Sequence, residues 1–416
     1  SYIDRQVISL LVEPIKASLR LSDTQLGLMQ GVSFSLFYVA ATLPLAWLAD
    51  RGNRPALMAG CVAGWSVMTM LCGAAGNFWQ LLLARVGVAV GEAGLPGAAL
   101  TVMADRFEPK RLARATSVFM LAPFMGGGLA LLGGGALYAA TAGWDMPSLP
   151  GIGTVERWQL VFILTGAPGL LAAAALLLIA DPRRGNAAVR AQAGPNLASF
   201  LRQEWRFVSL YILSVALTSM LLSTYISWLP AAMMRAHGLN EQSVGLLFGP
   251  IYFLAGAAGT LVAGMVVSRG SGNDPVGFTL RFMRISVTIL LPVAIAGPQM
   301  PMLALELPLM GLAIFLISSV IGLSSLPLQY VVPRHLRAQA IAFMGMVSAM
   351  IGTGIGPLAA GVLSDRLGFT AQPLSMALSL IAALSLPLVF VMLRAAGRRH
   401  ARMLASLPLA ISKVPA

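Results

Sequence analysis

The composition of the chain excludes an ordinary soluble protein. Its 416 residues are 57% hydrophobic and only 10% charged, whereas a soluble domain carries about 25% charged residues. One membrane-spanning helix needs about 20 apolar residues, so the apolar residues suffice for about a dozen. The net charge of +13 comes from basic residues without interleaved aromatic residues, which is not typical of a nucleic-acid-binding surface. We therefore predict an all-α integral membrane protein that binds no nucleic acid.

Twelve apolar segments, numbered here as spans 1 to 12, are separated by charged or helix-breaking residues. Their predicted ranges are 1–18, 24–49, 55–75, 78–104, 113–141, 157–180, 206–234, 242–268, 278–297, 301–330, 338–363 and 371–395. The longest charged interruption falls near the middle of the chain, with six spans on each side. We therefore predict an N-terminal six-helix bundle, a cytoplasmic linker with an interfacial helix, a C-terminal six-helix bundle and a cytoplasmic tail, over 1–180, 181–205, 206–396 and 397–416 respectively.

The basic residues are distributed unequally between the two sides of the membrane. With the N-terminal side placed inside, the inner loops and the tail carry about four times as many Lys and Arg residues as the outer loops. This excess predicts that both termini are cytoplasmic. Because Asp4 and Arg5 follow Ser1 at once and no signal-peptide pattern is present, we expect that part of the chain precedes Ser1.

The two halves of the chain resemble each other. Pro109-x-x-Leu112 follows span 4, and Pro333-x-x-Leu336 follows span 10 at the equivalent place. Each motif precedes a glycine-rich span. Duplicated six-span halves around a central site are typical of secondary transporters. The alternative is a chance match between two apolar, helix-rich sequences.

Motifs in the first half resemble those of a known transporter family. The residues from Ala46 to Arg54 read Ala-Trp-Leu-Ala-Asp-Arg-Gly-Asn-Arg, which is similar to the Gly-x-x-x-Asp-Arg-x-x-Arg signature of the major facilitator superfamily, with Ala46 in place of the glycine. The equivalent loop of the second half departs from the signature at Ser268. Within the superfamily, the chain resembles the bacterial homologues of the Spinster group in Tyr2-Ile3-Asp4-Arg5, in Leu48 to Arg54 and in the segment Arg85 to Ala93.

This resemblance implies a fold, a location and a substrate class. The fold is the major facilitator fold, with twelve transmembrane helices in two pseudo-symmetric six-helix bundles, and the location is the bacterial inner membrane. The implied substrates are lysolipids and sphingoid phosphates, moved by alternating access and coupled in some members to protons. We expect a monomer in the lipid bilayer that requires no cofactor and no metal, with protons as the coupling ion.

Four ionisable residues lie deep in predicted spans, where charge is costly and indicates function. Glu92 lies about 21 Å along span 4 and Arg85 about 10 Å along it, on one helix face. Asp4 and Arg5 lie at a depth similar to that of Glu92. Since two helical turns separate Arg85 from Glu92, we expect a group from the facing helix to bridge them.

Each of these residues has a predicted role. Arg85 offers a fork of donors to an anionic head group, whereas Asp4 and Glu92 bind protons. Arg5 helps to balance the two acids. The alternative interpretation is a buried charge cluster that fixes the register of the helices and has no transport role.

Polar and aromatic residues are predicted to line the rest of a central cavity. They are Gln30, Ser33, Phe34, Phe37 and Tyr38 in span 2, Thr218, Ser219, Ser223, Thr224, Tyr225, Ser227 and Trp228 in span 7, and Phe248 and Tyr252 in span 8. Glu306 in the second half is predicted to lie at the outer interface. One charged half and one apolar-aromatic half suit an amphiphile with an anionic head.

A charged cluster at the inner surface is predicted to form a cytoplasmic gate. Its members are Asp50, Arg51, Arg54, Asp105 and Arg114. In the superfamily, such residues latch the cytoplasmic ends together in the outward-open state. The alternative is a solvated loop that carries only the inner positive charge.

Secondary active transport of a lipid-like amphiphile is the function that these observations favour. A proton-coupled exporter of drugs or small organic anions fits the charged first half almost as well. We do not expect an enzyme, because His237, His335 and His400 are predicted in loops or in the tail, away from any intramembrane nucleophile. A channel would need a continuous polar lining, which the second half lacks.

Overall fold

The computed structural model describes residues 2–144, 148–149, 153–181, 197–333 and 336–405. Within these ranges, the side chains of 109, 110, 113, 114, 117, 120, 148, 149, 153, 197–199 and 338 lie outside the description. Eleven helices of the described part are long and apolar enough to cross a membrane. Two short antiparallel strands, Ser148–Leu149 and Gly153–Thr154, accompany them. The all-α membrane prediction is confirmed.

The first six spans contain nine helices. They are Tyr2–Leu10 and Val12–Leu19 in span 1, Asp23–Gln30 and Val32–Arg51 in span 2, Arg54–Cys72 in span 3, Phe78–Ala93 and Leu95–Arg106 in span 4, Pro109–Ala140 in span 5, and Arg157–Leu177 in span 6. Span 1 is not among the eleven because it is short and carries four charged residues, Asp4, Arg5, Glu13 and Lys16. With span 1 added, the described helices correspond approximately to the twelve predicted.

The second half begins with a short helix, Leu197–Gln203, followed by six spans. Their helices are Trp205–His237 in span 7, Glu241–Gly270 in span 8, Pro275–Ala296 in span 9, Leu303–Gly322 and Leu326–Val331 in span 10, Arg337–Ser348 and Gly356–Arg366 in span 11, and Pro373–Ala405 in span 12. A π-helical stretch, Ala349–Ile355, joins the two helices of span 11. Single 3₁₀ turns occur at Thr141–Gly143 and Gly297–Gln299.

Side-chain caps fix several helix starts. The hydroxyl of Ser22 accepts a hydrogen bond from the backbone N–H of Gln25, whose side chain accepts one from the Ser22 N–H. Spans 3, 4 and 8 are capped by Asn53, Asn77 and Asn240, whose side-chain oxygens each accept a hydrogen bond from a backbone N–H of the first helical turn. Such caps satisfy backbone donors that a helix leaves unpaired at its first turn. The helix of span 12 continues to Ala405, past the bundle boundary predicted at 396.

Three spans of the first half are discontinuous, although the sequence predicted each as one helix. Span 1 breaks at Leu11, span 2 at Gly31 and span 4 at Gly94. At Gly31 a side chain is excluded, because an added Cβ would lie 2.3 Å from the carbonyl oxygen of Gly354 in span 11. Broken helices of this kind are common around the binding sites of secondary transporters.

In the described part of the chain, the two halves contact each other mainly through spans 1 and 7, spans 2 and 11, and spans 5 and 8. The backbones approach closely at glycines: an added Cβ at Gly245 would lie 2.3 Å from the Leu131 carbonyl oxygen, and one at Gly27 would lie 2.5 Å from that of Pro357. Small residues allow such contacts between helices in a membrane.

The bundle has two unlike ends. We call the end that contains Arg51, the start of span 7 and the last turns of span 12 the arginine-rich end. The other end, where spans 1 and 2 are joined near Ser22, is called the opposite end. Consecutive spans run between these two ends in alternation.

Candidate functional site

The four predicted charged residues come together in the structure. Arg5 Nε donates a hydrogen bond to Glu92 Oε2 at 2.5 Å, and Arg85 Nη1 donates one to the backbone carbonyl oxygen of Asp4 at 3.2 Å. Glu92 is 2% exposed, Arg85 3% and Asp4 5%. The facing helix therefore supplies two adjacent residues rather than one bridging group. Arg5 is the partner of Glu92, a pairing that the sequence did not identify.

Aromatic rings hold both guanidinium groups from the side of span 2. The Cζ atom of Arg5 lies 4.3 Å from the centre of the Phe34 ring and 5.1 Å from that of Tyr38, and the Cζ atom of Arg85 lies 5.2 Å from the Phe34 ring. Cation–π contacts of this length stabilise a cation by about 0.5–2 kcal/mol, most when water is excluded. Phe34 thus positions both arginines on one side of the site.

A cavity of about 220 Å³ lies between the two halves beside these arginines. The first half lines it with Tyr2, Arg5, Gln6, Ile8, Gln30, Phe34, Arg85 and Pro123. The second half lines it with Ser219, Leu222, Ser223, Ile226, Ser227, Tyr252, Ile321 and Thr353. All the charges of this lining come from the first half. The second half contributes mainly hydroxyl and aliphatic groups, so it is less aromatic than predicted.

Two buried nitrogen donors at this cavity have no acceptor among the described residues. They are Arg85 Nε and the amide Nε2 of Gln30. A buried donor without a partner costs about 1–3 kcal/mol, so such groups indicate a site that an acceptor occupies. On the far side of Arg5, Glu92 Oε1 also lacks a donor within the described part of the chain.

Three residues predicted to line the cavity in span 7 do not do so. Thr218 Oγ1 donates to the Ser214 carbonyl oxygen at 2.9 Å. The hydroxyl of Tyr225 donates to Ala294 O at 2.6 Å, and Trp228 Nε1 donates to Pro357 O at 2.8 Å. These polar groups satisfy backbone carbonyls of their own or neighbouring spans, and they pack the second half together.

The remaining predicted lining residues take several positions. Gln30, Phe34, Ser219, Ser223, Ser227 and Tyr252 border the cavity, whereas Ser33, Phe37, Tyr38, Thr224 and Phe248 are not part of its lining. Phe37 is 42% exposed on the outside of the bundle. Tyr38 stays near the site, because its ring stacks on Phe34. Asp4 and Glu92 lie behind the arginines and do not border the cavity.

Glu306, which the sequence predicted at the outer interface, lies in the first turn of span 10 and is 1% exposed. Its Oε2 atom lies 2.5 Å from Nε2 of His237. His237 is the last residue of the span 7 helix rather than a loop residue, and it faces the first turn of span 10. The pairing of two facing helix ends explains why a carboxylate can be buried there.

The described residues of the predicted cytoplasmic gate bond within the first half. Arg54 forms an ion pair with Asp105, and its backbone N–H donates to Asp181 Oδ2 at 3.0 Å. The Cζ atom of Arg51 lies 4.1 Å from the centre of the Trp47 ring. Asp50 lies in the last turn of the span 2 helix, which ends at Arg51. The side chain of Arg114 lies outside the described residues.

The opposite end is closed by a network of ion pairs that joins the two halves. Arg235 in span 7 donates two hydrogen bonds to Asp23 in span 2, at 2.6 and 2.8 Å, and a third to Glu13 in span 1 at 2.8 Å. Lys16 Nζ and Ser364 Oγ also donate to the Asp23 carboxylate, at 2.5 and 2.6 Å. Asp23 is 2% exposed, so this closure excludes solvent.

A second contact strengthens this closure. Asp365 of span 11 accepts hydrogen bonds from the backbone N–H groups of Asp23 and Thr24 and from the Thr24 hydroxyl, at 3.2, 2.8 and 2.6 Å. A carboxylate at a helix N-terminus is favoured by the helix dipole. The sequence analysis missed the network, although Asp23 and Arg235 stand at the predicted outer ends of spans 2 and 7, where opposite charges could have indicated it.

Comparison with known proteins identifies the family. Residues 1–357 match the family model of the Major Facilitator Superfamily. The chain belongs to this superfamily. It is 32% identical over 391 residues to an MFS-type efflux pump of Mycolicibacterium smegmatis, an alignment that covers 92% of this chain and 86% of the pump. It is 25% identical to the sphingosine-1-phosphate transporter SPNS2 of Danio rerio, over 88% of this chain and 74% of that protein.

Solved structures of similar proteins agree with this result. A bacterial homologue of the human lysosomal transporter Spinster, in an inward-facing and occupied conformation, has a TM-score of 0.75 and 26% sequence identity, with 97% of this chain and 94% of that chain covered. The predicted major facilitator fold and the resemblance to the Spinster group are therefore confirmed. The chain is a multi-pass membrane transporter of this superfamily.

Proposed function

We propose that this transporter moves an amphiphile with an anionic head group, of the lysolipid or sphingoid phosphate class, by alternating access. The observation that carries the proposal is the pair of unsatisfied buried donors, Arg85 Nε and Gln30 Nε2, beside a cavity whose charges are Arg5 and Arg85. A phosphate or carboxylate accepts several such bonds at once, and a guanidinium matches its geometry.

The size of the cavity fits a head group rather than a whole lipid. Pockets for drug-sized ligands measure about 300–1,000 Å³, whereas this cavity measures about 220 Å³. Leu222, Ile226 and Ile321 form an apolar side opposite the arginines. A hydrocarbon tail attached to the bound head group would extend along this apolar side.

The state of the bundle is consistent with one step of alternating access. The Asp23–Arg235 network closes the opposite end, while the described gate contacts at the arginine-rich end stay within the first half. If the arginine-rich end is cytoplasmic, as the basic loops predict, this is an inward-facing state. We propose this orientation, with both termini cytoplasmic and the chain in a bacterial inner membrane.

We further propose that protons drive transport through Glu92. Arg5 borders the cavity and is bonded to Glu92. An anionic head group competes with Glu92 for Arg5, and protonation of Glu92 releases Arg5 to the head group. Proton and substrate binding are then linked, and each raises the affinity of the other by the same factor. Asp4, whose carbonyl oxygen holds Arg85, is a second proton-binding candidate.

A second candidate function is the export of drugs or small organic anions. The observation that favours it is the 32% identity to an MFS-type efflux pump over 92% of this chain. The same arginines would bind a small organic anion. Such an anion has no apolar tail, so contact with the apolar side of the cavity would add nothing to its affinity. The two candidates therefore differ in whether affinity rises with the length of the apolar tail.

Binding to purified protein in neutral detergent tests the proposal. The probes are alkyl phosphates of increasing chain length, a monoacylglycerol, an aromatic carboxylate and a cationic dye. We expect long-chain phosphates to bind best. Arg85→Ala should weaken their binding at least about tenfold, because a charge-assisted hydrogen bond contributes about 1.5–3 kcal/mol. Arg85→Lys should restore little of the loss.

The matched control is Arg269→Ala, which removes an exposed arginine at the end of span 8. It should bind every probe as the parent does. Equal affinity for the alkyl phosphate and the neutral monoacylglycerol would contradict an anionic head group. Affinity independent of tail length would favour the export of small organic anions.

A further inference from the structure

Six arginines of spans 9 and 12 lie on the outside of the second half, at the arginine-rich end. They are Arg281 and Arg284 in span 9 and Arg394, Arg398, Arg399 and Arg402 in span 12. They are remote in the fold from the transport cavity, which spans 9 and 12 do not line. The proposed transport function does not use them.

These arginines border two adjacent cavities on either side of span 12. One, of about 390 Å³, lies between spans 9 and 12 and is bordered by Arg281 and Arg284. The other, of about 450 Å³, lies between spans 7 and 12 and is bordered by Arg206. Arg394 and Arg398 border both cavities. The arginines that the two cavities share therefore lie on one face of span 12.

The protein itself supplies little negative charge to this surface. Asp274 is the sole acid among the described residues that border the two cavities, and its Oδ1 atom lies 2.9 Å from Nε2 of His400. Although burial alone would raise it, the Gly277 N–H and His400 lower the pKa of Asp274. Glu204 Oε2 accepts a long hydrogen bond, 3.4 Å, from Arg399 Nη2. A single ionised acid bonded to His400 does not neutralise six arginines.

The neighbouring segments of the chain cannot neutralise the arginines either. Residues 182–196, before span 7, and residues 406–416, after span 12, contain no Asp or Glu. Within the described residues, Arg284 Nε and Arg399 Nε are buried without an acceptor. Neither these segments nor the described residues that border the cavities, apart from Asp274, supply a carboxylate, so an anion of another molecule would find free donors on this surface.

The position of the arginines on span 12 indicates the depth of that molecule in the membrane. From Pro373 to Arg394 the helix rises about 32 Å, close to the thickness of the hydrocarbon core. Trp205, exposed at the start of span 7 near the second cavity, is a residue typical of the membrane–water interface. The arginines therefore lie at the level of the lipid head groups.

An apolar stripe continues directly from the arginines into the membrane. Leu384, Leu388 and Val391 are each more than half exposed. Their spacing places them on the same helix face as Arg394 and Arg398, because residues three and four apart on a helix are neighbours. The surface thus has a long apolar part and a basic end, which matches the two parts of a phospholipid.

We propose that this surface binds an anionic phospholipid of the surrounding bilayer, with its phosphate between Arg394 and Arg398 and an acyl chain along Leu384, Leu388 and Val391. Basic pockets between transmembrane helices at the head-group level are suited to anionic lipids. The site is separate from the transport cavity, and its ligand is not the transported substrate.

Lipid titration of the purified full chain in neutral detergent tests this assignment. Thermal unfolding is followed with increasing phosphatidylglycerol, phosphatidylcholine or inorganic phosphate. We expect phosphatidylglycerol to raise the unfolding temperature of the parent far more than the other two. In Arg394→Gln/Arg398→Gln, the apparent affinity for phosphatidylglycerol should fall about thirtyfold, because each basic residue near a lipid surface contributes about 1 kcal/mol.

The matched control is Arg106→Gln/Arg269→Gln, which removes two exposed arginines at the same end but outside both cavities. It should respond to phosphatidylglycerol as the parent does. Val391→Ser should reduce the rise in unfolding temperature caused by phosphatidylglycerol. The effect of inorganic phosphate on the unfolding temperature should stay unchanged. An equal response of the parent to inorganic phosphate would show a site for free phosphate and overturn the lipid assignment.

Two further results would also overturn it. The first is an equal affinity of the two double variants for phosphatidylglycerol, and the second is an equal response of the parent to phosphatidylcholine. If the arginine double variant does not fold, native mass spectrometry of the parent decides between the lipids. Preferential retention of phosphatidylglycerol supports the site, and equal retention of both lipids contradicts it.

Discussion

The two buried arginines of the site have different kinds of partner. Arg5 is paired with the carboxylate of Glu92, whereas the hydrogen bond described for Arg85 goes to a backbone carbonyl oxygen. A buried charge is costly unless it is paired and hydrogen-bonded. Arg85 therefore stands to gain most from an anionic ligand, and Arg5 becomes available only when Glu92 is neutral. We therefore assign substrate binding to Arg85 and proton coupling to Arg5.

Glu92→Gln should remove the pH dependence of substrate binding. In the parent, the affinity for an alkyl sulfate, whose charge stays constant from about pH 8 to about pH 5, is expected to rise as the pH falls, because protonation of Glu92 frees Arg5. Glutamine keeps the size of the side chain but carries no charge and titrates no proton, so the affinity should be high and constant. Isothermal titration across this pH range measures it.

Glu108→Gln provides the control, because Glu108 is an exposed acid between spans 4 and 5. Its pH profile should match that of the parent. A Glu92→Gln profile with the slope of the parent would contradict coupling through Glu92, whatever the substrate proves to be.

At the scale of helices, glycines and breaks determine how closely spans 2 and 11 approach. Gly31 breaks span 2, and the π-helical stretch Ala349–Ile355 interrupts span 11 at the same contact. A π-helical turn is often found at functional sites, and Thr353 within this one borders the cavity. These irregular turns bring backbone and hydroxyl groups to the site that two regular helices would direct elsewhere.

Gly361→Ala should open the contact between spans 2 and 11 at the opposite end. An added Cβ at Gly361 would lie 2.2 Å from the Asp23 carbonyl oxygen, and backbone cannot move aside as a flexible side chain can. Overpacking of this kind costs about 1–3 kcal/mol, and only the closed state incurs it. Distances between spin labels on spans 2 and 11 at that end should lengthen.

Gly60→Ala is the matched control within span 3, where an added Cβ meets no atom of the described residues within 4 Å. It should leave the distances unchanged, and the alanine should favour the helix slightly. If both variants gave the distances of the parent, close backbone contact at Gly361 would not control this closure.

At the scale of the whole molecule, the two ends are organised differently. The described side-chain contacts at the arginine-rich end stay within one half: they join spans 3 and 4 and Asp181 in the first half, and spans 7, 9 and 12 in the second. Those at the opposite end join the two halves through Asp23, Arg235 and Asp365. A transporter that alternates between two states must form contacts at one end that it loses at the other. The ion-pair network at the opposite end belongs to the state described here.

Asp23→Asn should shift the equilibrium toward the state that is open at the opposite end. Asn lacks the charge for the hydrogen bonds from Arg235 and Lys16, and a hydrogen bond to a charged group contributes about 1.5–3 kcal/mol. A loss of this size changes a two-state population ratio by about one to two orders of magnitude. Asp50→Asn should act in the reverse direction, if the predicted cytoplasmic gate holds the other state closed. Double electron–electron resonance between labels at each end measures both shifts, and equal distributions in the two variants would contradict opposed gates.

The sequence by itself determined the membrane class, the approximate positions of the spans and the four charged residues beside the central cavity. Apolar segments must bury their backbone in helices when no water is available, and that constraint is local to each segment. Asp4, Arg5, Arg85 and Glu92 could be selected for the same reason, since charge in such a segment is costly wherever the segment packs.

The tertiary structure alone decided which groups meet. The pairing of Arg5 with Glu92, the burial of Glu306 against His237 and the Asp23–Arg235 closure each join residues far apart in the chain. The breaks at Gly31 and in span 11 depend on how near another backbone comes. Pair partners and close contacts depend on the rotation and spacing of whole helices, which hydrophobic spacing within one span does not encode.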